Sequence, residues 1–319
     1  MRFGNLALTA CMSLSIAVGA AYQGSAKDTP FPVRLFRQAT PDDFIGKDAC
    51  GACHEEQVAS FSQSGHATYM EDPKLPIDKQ GCEGCHGPGA FHVREEDSQI
   101  IAYLKLPAKD VSAACLRCHG ATMKLSHWHQ TEHGRSDVSC VSCHQIHPSD
   151  QKLKGSHGLV KQSVFAAARP SGKLLKADEP SLCATCHQSE VLQFRLNSHH
   201  PVPEGRMVCS DCHDIHPNKA SSKKVGVVKE KCVSCHAEMA GPFAFEHDPV
   251  AGWMGDGCNE CHRSHGTQNP KLLKGASRGL CSQCHTDKAR NHFPGRTCWT
   301  AGCHVAIHGS NTDPRFLRR

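Results

Sequence analysis

The chain has 319 residues, of which 21 are cysteine, 24 are histidine and only 39% are hydrophobic. Ordinary globular domains contain about 45–50% apolar residues, so something besides aliphatic and aromatic side chains must fill the interior. The formal net charge of +5 is too small to indicate a nucleic-acid-binding protein.

Residues 1–26 are typical of a secretory signal peptide. Arg2 supplies a positive start, and the mostly apolar run from 6 to 21 is too short for a transmembrane helix. Cys11 lies in a stretch that resembles a lipoprotein cleavage box, but the apolar run continues past it, so we interpret it as part of the signal. A retained helical anchor is the alternative. We therefore expect an exported protein that is not itself an integral membrane protein.

Residues 27–46 show no clear hydrophobic period and are predicted to form an extended leader. Residues 47–319 are predicted to form one electron-transfer domain, mainly α with extensive loops and little or no sheet, because glycine, proline and charged residues separate its short segments. Residues 155–172 carry no motif and are interpreted as a hinge or a small docking element. PRFLRR at 314–319 is interpreted as a solvated tail, with partner contact as the alternative.

Segments that combine lysine with apolar residues recur along the chain, and we call them the basic–apolar segments. They lie at 103–110, 172–179, 223–230 and 270–277.

The cysteines other than Cys11 form ten local pairs, and a histidine follows each pair directly. Nine pairs have the spacing Cys-x-x-Cys-His, and the tenth, CWTAGCH at 298–304, has four residues between its cysteines. The paired cysteines are Cys50 and Cys53, Cys82 and Cys85, Cys115 and Cys118, Cys140 and Cys143, Cys183 and Cys186, Cys209 and Cys212, Cys232 and Cys235, Cys258 and Cys261, Cys281 and Cys284, and Cys298 and Cys303. The motif histidines are His54, His86, His119, His144, His187, His213, His236, His262, His285 and His304.

Covalent attachment of c-type haem (heme c) requires this unit. Both cysteines form thioethers to one edge of the haem, and the histidine then ligates the iron. Disulfides and zinc ribbons also use paired cysteines, but neither requires a histidine after every second cysteine. The motifs therefore predict ten covalently bound haems, with a disulfide between Cys298 and Cys303 as the alternative for the tenth.

Ten further histidines recur at regular positions and are predicted to be the second axial ligands, which would make every haem bis-histidine ligated. One isolated histidine lies between the two motifs of each successive motif pair. The isolated histidines are His66, His133, His199, His247 and His292, with His200 as the alternative to His199. One nearby histidine follows the second motif of each pair. The nearby histidines are His92, His147, His216, His265 and His308. His127, His129, His157 and His200 are left over.

His147 follows the motif histidine His144 by three residues, and it is predicted to bind a different haem. A haem plane separates its two axial positions, whereas three helical residues advance only about 4.5 Å and stay on one face. Segments that ligate two haems would hold successive haems close together, so the haems are expected to form the core. We therefore predict five tandem two-haem modules, numbered by motif pair, in an elongated molecule.

Ten such motifs with this histidine pattern resemble the periplasmic decahaem cytochromes of the Mtr/Mto/Pio/DmsE type. The segment KDACGACHEEQVASFSQSGH at 47–66 is similar to the first haem segment of that family. The resemblance implies a largely helical periplasmic protein that inserts into an outer-membrane porin barrel and conducts electrons across the membrane, for extracellular metal reduction, Fe(II) oxidation or an extracellular dimethylsulfoxide reductase. An extracellular multihaem cytochrome and periplasmic or inner-membrane redox partners are the further partners it implies. The spacer of CWTAGCH departs from the usual motif.

An electron-transfer protein without catalytic residues is expected, because an iron with two protein ligands has no open site for substrate. One alternative is a free periplasmic electron carrier or store. The other is a multihaem reductase, which would need an open haem site; the chain contains no Cys-x-x-Cys-Lys motif.

Overall fold

The computed structural model describes residues 31–94, 100–147, 163–167, 175–217, 227–253, 255–276, 278–288, 298–299 and 303–318. The predicted signal peptide, His157 and His292 lie outside these residues. No helix within the described ranges is long and apolar enough to cross a membrane.

Short helices joined by loops make up most of the described chain, as expected from the frequent glycine and proline residues. The α-helices are α1 (Phe31–Gln38), α2 (Lys47–Gly51), α3 (Glu55–Ser62), α4 (Gly65–Met70), α5 (Glu83–His86), α6 (Ala90–Arg94), α7 (Ala108–Thr122), α8 (Glu132–Arg135), α9 (Cys140–Cys143), α10 (Glu179–Ala184), α11 (Gln188–Gln193), α12 (Val227–Val233), α13 (Asp248–Ala251) and α14 (Arg278–Cys281). The 3-10 helices are Pro41–Asp43, Ile77–Lys79, Tyr103–Lys105, Trp128–Gln130, Cys209–Asp211, Ala237–Met239, Gly257–Glu260 and Pro270–Leu272.

Sheet structure is confined, within the described residues, to two antiparallel pairs of two-residue strands and two isolated bridges. Strand β1 (Ser198–His199) pairs with β3 (Gly266–Thr267), and β2 (Phe245–Glu246) pairs with β4 (Gly309–Ser310). The expected fold class, mainly α with extensive loops and little sheet, is confirmed.

The leader at 27–46 is predicted to be extended, but it contains the helix α1 (Phe31–Gln38). Leu35 and Phe36 of α1 are buried against Ile101, and the guanidinium of Arg117 in α7 lies 3.1 Å from the centroid of the Phe36 ring. Arg117 also donates to the Asp78 carboxylate at 2.7 Å. The helix therefore depends on tertiary contacts with α7, which a search for hydrophobic period within 27–46 does not detect.

The buried apolar side chains form small separate clusters. One contains Phe61, Ala67 and Met70. Another contains Phe165, Val191, Phe194 and Val202. Residues 163–167, which belong to the predicted hinge or docking element at 155–172, therefore pack against α11. The other residues of that element lie outside the described ranges.

Two of the basic–apolar segments, at 172–179 and 270–277, pair antiparallel with the second motif of the preceding module. Leu175 bridges to His144, and Leu273 bridges to His262. In both places the backbone N–H of a lysine donates to the backbone carbonyl of the second cysteine of the motif. The distance is 3.0 Å from Lys176 to Cys143 and 2.8 Å from Lys274 to Cys261. These segments therefore help to hold the second motifs in place.

Candidate haem sites

In each motif the backbone N–H of the histidine donates a hydrogen bond to the carbonyl of the first cysteine. In the nine short motifs the histidine follows the first cysteine by four residues, which is one helical turn; the His86 N–H, for example, donates to the Cys82 carbonyl at 2.9 Å. In the tenth motif the His304 N–H donates to the Cys298 carbonyl at 3.0 Å, although two more residues separate its cysteines. None of the twenty motif cysteines forms a disulfide in the structure. The longer motif therefore brings its histidine back to the same position relative to its first cysteine.

Nine of the motif histidines face a second imidazole at a nearly constant separation. The ring centroids lie 6.4 Å apart for His54 and His92, 6.4 Å for His86 and His147, 5.8 Å for His119 and His66, 6.0 Å for His144 and His216, 6.1 Å for His187 and His133, 6.0 Å for His213 and His265, 6.3 Å for His236 and His200, 6.2 Å for His262 and His308, and 6.2 Å for His285 and His247. Two metal–nitrogen bonds of about 2.0–2.1 Å in line, plus the distance from each nitrogen to its ring centroid, would separate the centroids by about 6.3 Å. The residues present therefore fit one metal ion between each pair of rings.

The structure brings His200 to His236 and places His199 elsewhere. Nδ1 of His199 binds the Leu196 carbonyl at 2.5 Å and Nε2 binds Glu204 at 3.1 Å. Those two hydrogen bonds, first that to Leu196, raise the pKa of His199, which favours a protonated ring that cannot bind metal. The structure therefore places His200, the alternative named from the sequence, opposite His236, and not His199.

The physical reason is the strand register. His199 lies opposite Gly266 in the β1–β3 pair, as Glu246 lies opposite Gly309 in the β2–β4 pair. His200 therefore corresponds to His247, the residue after Glu246. A side chain at Gly266 would collide with the Gln193 carbonyl oxygen, so glycine permits this close approach. Consecutive residues of a strand point to opposite faces, and only one of the two histidines can turn towards His236.

The imidazole pairs follow a simple rule between modules. Each isolated histidine faces the first-motif histidine of the next module, as His66 faces His119. Each nearby histidine faces the second-motif histidine of the preceding module, as His147 faces His86. Eight of the nine pairs obey this rule, and the exception, His92 with His54, lies within the first module, which has no preceding module to serve.

In the first three modules a buried aromatic residue precedes an isolated histidine by five residues: Phe61 before His66, Trp128 before His133 and Phe194 before His199. The Phe61 ring lies 6.4 Å from that of His147, Trp128 lies 5.9 Å from His216, and Phe194 lies 5.2 Å from His265. In each case the aromatic ring supports the nearby histidine of the next module. One short segment thus presents one histidine to the next module and packs against another.

Burial favours the neutral, metal-binding form of several imidazoles. It lowers the pKa of His66, His86, His216, His247, His262 and His265. A histidine must be neutral to bind a metal, so these pockets match the chemistry of a ligand.

His127 and His129 lie on either side of Trp128, His127 as the N-cap and His129 within the 3-10 helix Trp128–Gln130. In this region it is His133 that faces His187.

The cysteines connect consecutive motifs. Within each module the thiols of the two first cysteines lie next to each other: Cys50 with Cys82, Cys115 with Cys140, Cys183 with Cys209, Cys232 with Cys258, and Cys281 with Cys298. Between modules the second cysteines lie close enough to interact electrostatically: Cys85 with Cys118, Cys143 with Cys186, Cys212 with Cys235, and Cys261 with Cys284. Burial and then the neighbouring Cys118 raise the pKa of the Cys85 thiol to about 11. These nine pairs of neighbouring cysteines link the ten motifs in the order in which they occur in the sequence.

Known cytochromes share these motifs. Residues 199–241 and 247–290 match the family described as "Doubled CXXCH motif", and residues 82–164 match "Cytochrome c-type protein NrfB-like". The multihaem cytochrome MtrA of Shewanella baltica is 32% identical over 256 residues, which cover 77% of this chain and 70% of MtrA. The cytochrome c-type protein NrfB of Haemophilus influenzae is 27% identical over 105 residues, covering 32% of this chain and 45% of NrfB. The polyhaem cytochrome OmcC of Geobacter sulfurreducens is 25% identical over 215 residues, covering 60% of this chain and 26% of OmcC.

The similarity to MtrA extends over most of both chains, and the paired motifs supply the thiols and imidazoles that c-type haem requires. The chain therefore belongs to the family of MtrA-like multihaem c-type cytochromes, which bind haem covalently and transfer electrons.

Proposed function

We propose that the chain is an electron conduit that holds ten haems, each between two histidines, in one continuous series between the periplasm and the cell exterior. The observation that carries this proposal is the set of nine pairs of neighbouring cysteines that link the ten motifs in sequence order. Each cysteine is a point of attachment to one haem edge, so neighbouring attachment points imply neighbouring cofactors.

The nine imidazole pairs would hold nine of the irons, with His200 in place of His199. The tenth motif histidine, His304, would take His292. His304 and His292 are the remaining members of the two histidine series, so we assign His292 to the second motif of its own module, as His92 is paired within the first module. His292 lies outside the described residues, and this assignment rests on the pattern of the other nine.

When bound, haem supplies reversible one-electron chemistry at its iron. The paired imidazoles would supply both protein ligands of each iron, which would leave no coordination site for a substrate and would favour electron transfer over catalysis. Burial lowers the pKa of several of these imidazoles and so favours their neutral form, and ligation between modules would fix the spacing of successive sites. A spectrum of the oxidised protein with only low-spin ferric haem, and an intact mass equal to the chain plus ten haems, are expected.

Ligation between neighbouring modules favours an elongated molecule. Repeats that contact only their neighbours stack in one dimension, whereas a compact globule of this length would have a radius of gyration of about 19–20 Å. A conduit across an outer membrane must also span about 40–45 Å including the headgroups. Small-angle scattering of the isolated haem-loaded protein is expected to give a clearly larger radius. A value near that of the globule would favour the free periplasmic carrier or store.

The proposed setting is the periplasm, in association with the outer membrane through a porin barrel. This follows from the family, the predicted signal peptide and the continuous series of sites. A periplasmic or inner-membrane redox protein would exchange electrons at one end and an extracellular multihaem cytochrome at the other. Extracellular metal reduction and Fe(II) oxidation are the two processes that such a conduit serves in opposite directions.

Reconstituted outer-membrane complexes test this function. Liposomes loaded with reduced methyl viologen would contain detergent-extracted complex, and Fe(III) citrate would be added outside. We expect oxidation of the internal dye with wild-type protein. A variant with both Cys183→Ser and Cys186→Ser would lack a central haem and should retain nine haems by mass while losing most of that oxidation. Unchanged oxidation by this variant would contradict a single continuous series.

A further inference from the structure

In three of the five second motifs, Nδ1 of the motif histidine binds a backbone carbonyl. Nδ1 of His86 donates to the Ile101 carbonyl at 2.8 Å, that of His262 to the Lys271 carbonyl at 2.8 Å, and that of His304 to the Arg315 carbonyl at 2.7 Å. Lys271 belongs to a basic–apolar segment, and Ile101 lies just before another. Arg315 lies in the region that the sequence suggests is a solvated tail.

The segment PRFLR at 314–318 resembles PKLLK at 270–274 in sequence, and the two share a left-handed residue at their third position. Both consist of proline, a basic residue, two apolar residues and a second basic residue. Leu272 and Phe316, at the same position, both have a left-handed backbone, with φ of 59° and 60°. Bulky residues rarely adopt this conformation, and it persists where surrounding structure holds it.

Each of the two segments makes a second contact next to its histidine. The Leu272 carbonyl accepts a hydrogen bond from the Arg263 N–H at 2.7 Å, and the Phe316 carbonyl accepts one from the Ala306 N–H at 3.0 Å. The two carbonyls of each segment therefore fix both the imidazole ring and the backbone that follows it. We call this pair of contacts the carbonyl clamp.

Interactions on both sides hold 314–318 in place. Asp313 accepts from the Arg315 N–H through its carboxylate at 2.8 Å and from the Phe316 N–H through its carbonyl at 3.0 Å. Ser310 is 1% exposed and its hydroxyl donates to the Arg318 carbonyl. The Phe316 ring lies 5.5 Å from that of His247. The segment is thus an ordered part of the site, and the expectation of a solvated tail differs from the structure.

We propose that residues 314–318 form a carbonyl clamp that orients the His304 imidazole and makes it a stronger electron donor to the tenth haem, which lowers the reduction potential of that haem. The proposal rests on the proposed ligation by His304. A hydrogen bond from the other ring nitrogen fixes the tautomer and orientation of a ligating histidine and raises its basicity. A more basic ligand stabilises the ferric iron relative to the ferrous iron.

Three variants separate the backbone contact from the side chains. Phe316→Pro forbids the left-handed conformation, because the proline ring holds φ near about −65°, and it also removes the bond to Asp313. Phe316→Gly permits the conformation and removes only the aromatic ring. Arg315→Ala retains the carbonyl and removes an exposed guanidinium. All three are to be compared with wild type by intact mass, electron paramagnetic resonance and potentiometric titration.

We expect Phe316→Pro to retain ten haems and to shift one haem to higher potential, with a changed low-spin signal for that haem only. Phe316→Gly and Arg315→Ala should leave that haem at its wild-type potential. A Cys298→Ser, Cys303→Ser double variant, which lacks the tenth haem, identifies the affected signal by its disappearance. If Phe316→Pro does not fold, Asp313→Ala loosens the same turn and should shift the same haem in the same direction.

The proposal is overturned if both Phe316→Pro and Asp313→Ala keep wild-type potentials, or if Phe316→Gly shifts the haem as much as Phe316→Pro does. The second result would assign the effect to the aromatic ring and not to the clamp. Failure of the underlying ligation is distinguishable, because the wild-type protein would then itself show nine haems by mass or a high-spin tenth haem.

Discussion

The imidazole of His200 faces that of His236 with a centroid separation of 6.3 Å, while the adjacent His199 is bound to Leu196 and Glu204. Nδ1 of His200 in turn binds the Ser264 carbonyl at 2.5 Å, one residue before His265. These two adjacent histidines thus have different environments. His199 is paired with Gly266 in the two-residue strand β1, and His200 is the residue that follows this strand.

Replacement of these two histidines distinguishes their roles. His200→Ala is expected to leave one of the ten haems without its second ligand, which gives a high-spin ferric signal at neutral pH, because alanine cannot ligate iron. His199→Ala, the matched control, should keep every haem low-spin. Electron paramagnetic resonance of both oxidised variants decides between them. A high-spin haem in His199→Ala alone would reverse the assignment.

The third motif histidine has an unusual hydrogen-bond partner. Nδ1 of His119 lies 2.9 Å from Sδ of Met123, and a thioether is a weaker acceptor than a carbonyl. Met123→Gln places an amide oxygen on a side chain of similar length, so the third haem should shift to lower potential. Met123→Leu removes the acceptor and should shift it to higher potential. Potentiometric titration measures both, and shifts in the same direction would contradict this account.

The second module contains three histidines within seven residues. His133 faces His187 at 6.1 Å, and Trp128 lies 6.5 Å from His133. His133→Ala is expected to convert one haem to high spin and to loosen its pocket, where few other apolar groups are available. His127→Ala and His129→Ala serve as controls and should leave all ten low-spin. A high-spin signal in either control would mean that the ligand series is misread at this module.

Arg117 connects the leader helix to the first two modules. Its side chain is 10% exposed, and it binds Asp78 while lying over Phe36. Arg117→Ala removes a hydrogen-bonded charge and its packing, so residues 31–38 should lose about 2 kcal/mol of local stability. Hydrogen exchange of that helix measures the loss. Arg135→Ala removes an exposed pair with Glu132, at 58% and 90% exposure, and should change stability by less than about 0.5 kcal/mol.

The covalent chemistry of this protein could be read directly from its sequence, because two thiols and an imidazole must lie within a few residues of one haem edge. The paired cysteines and the motif histidines are therefore local signals. The regular series of further histidines was also visible, since repeated modules place equivalent side chains at equivalent positions. These features were enough to predict the family and the fold class.

The partner of each imidazole was decided by the tertiary structure. No local pattern indicates that His66 faces His119 or that His147 faces His86, because each pair joins different modules. The choice of His200 depends on strand register, and two adjacent residues that differ only in their direction look equivalent in a sequence. The five-residue spacing between Phe194 and His199 favours His199 in the sequence, whereas in the structure Phe194 packs against His265.

Three further features also required the fold. Helix α1 forms where the sequence shows no clear period, because Leu35 and Phe36 are buried against a distant Ile101. The segment at 314–318 is held by Ser310, Asp313 and His247, and its charged residues alone suggested a tail. The spatial proximity of successive motifs is visible only in the fold, where cysteines that are tens of residues apart lie close together. Sequence determined which groups can bind haem, whereas their arrangement was decided by contacts between modules, which depend on the positions of residues in space and not on their spacing along the chain.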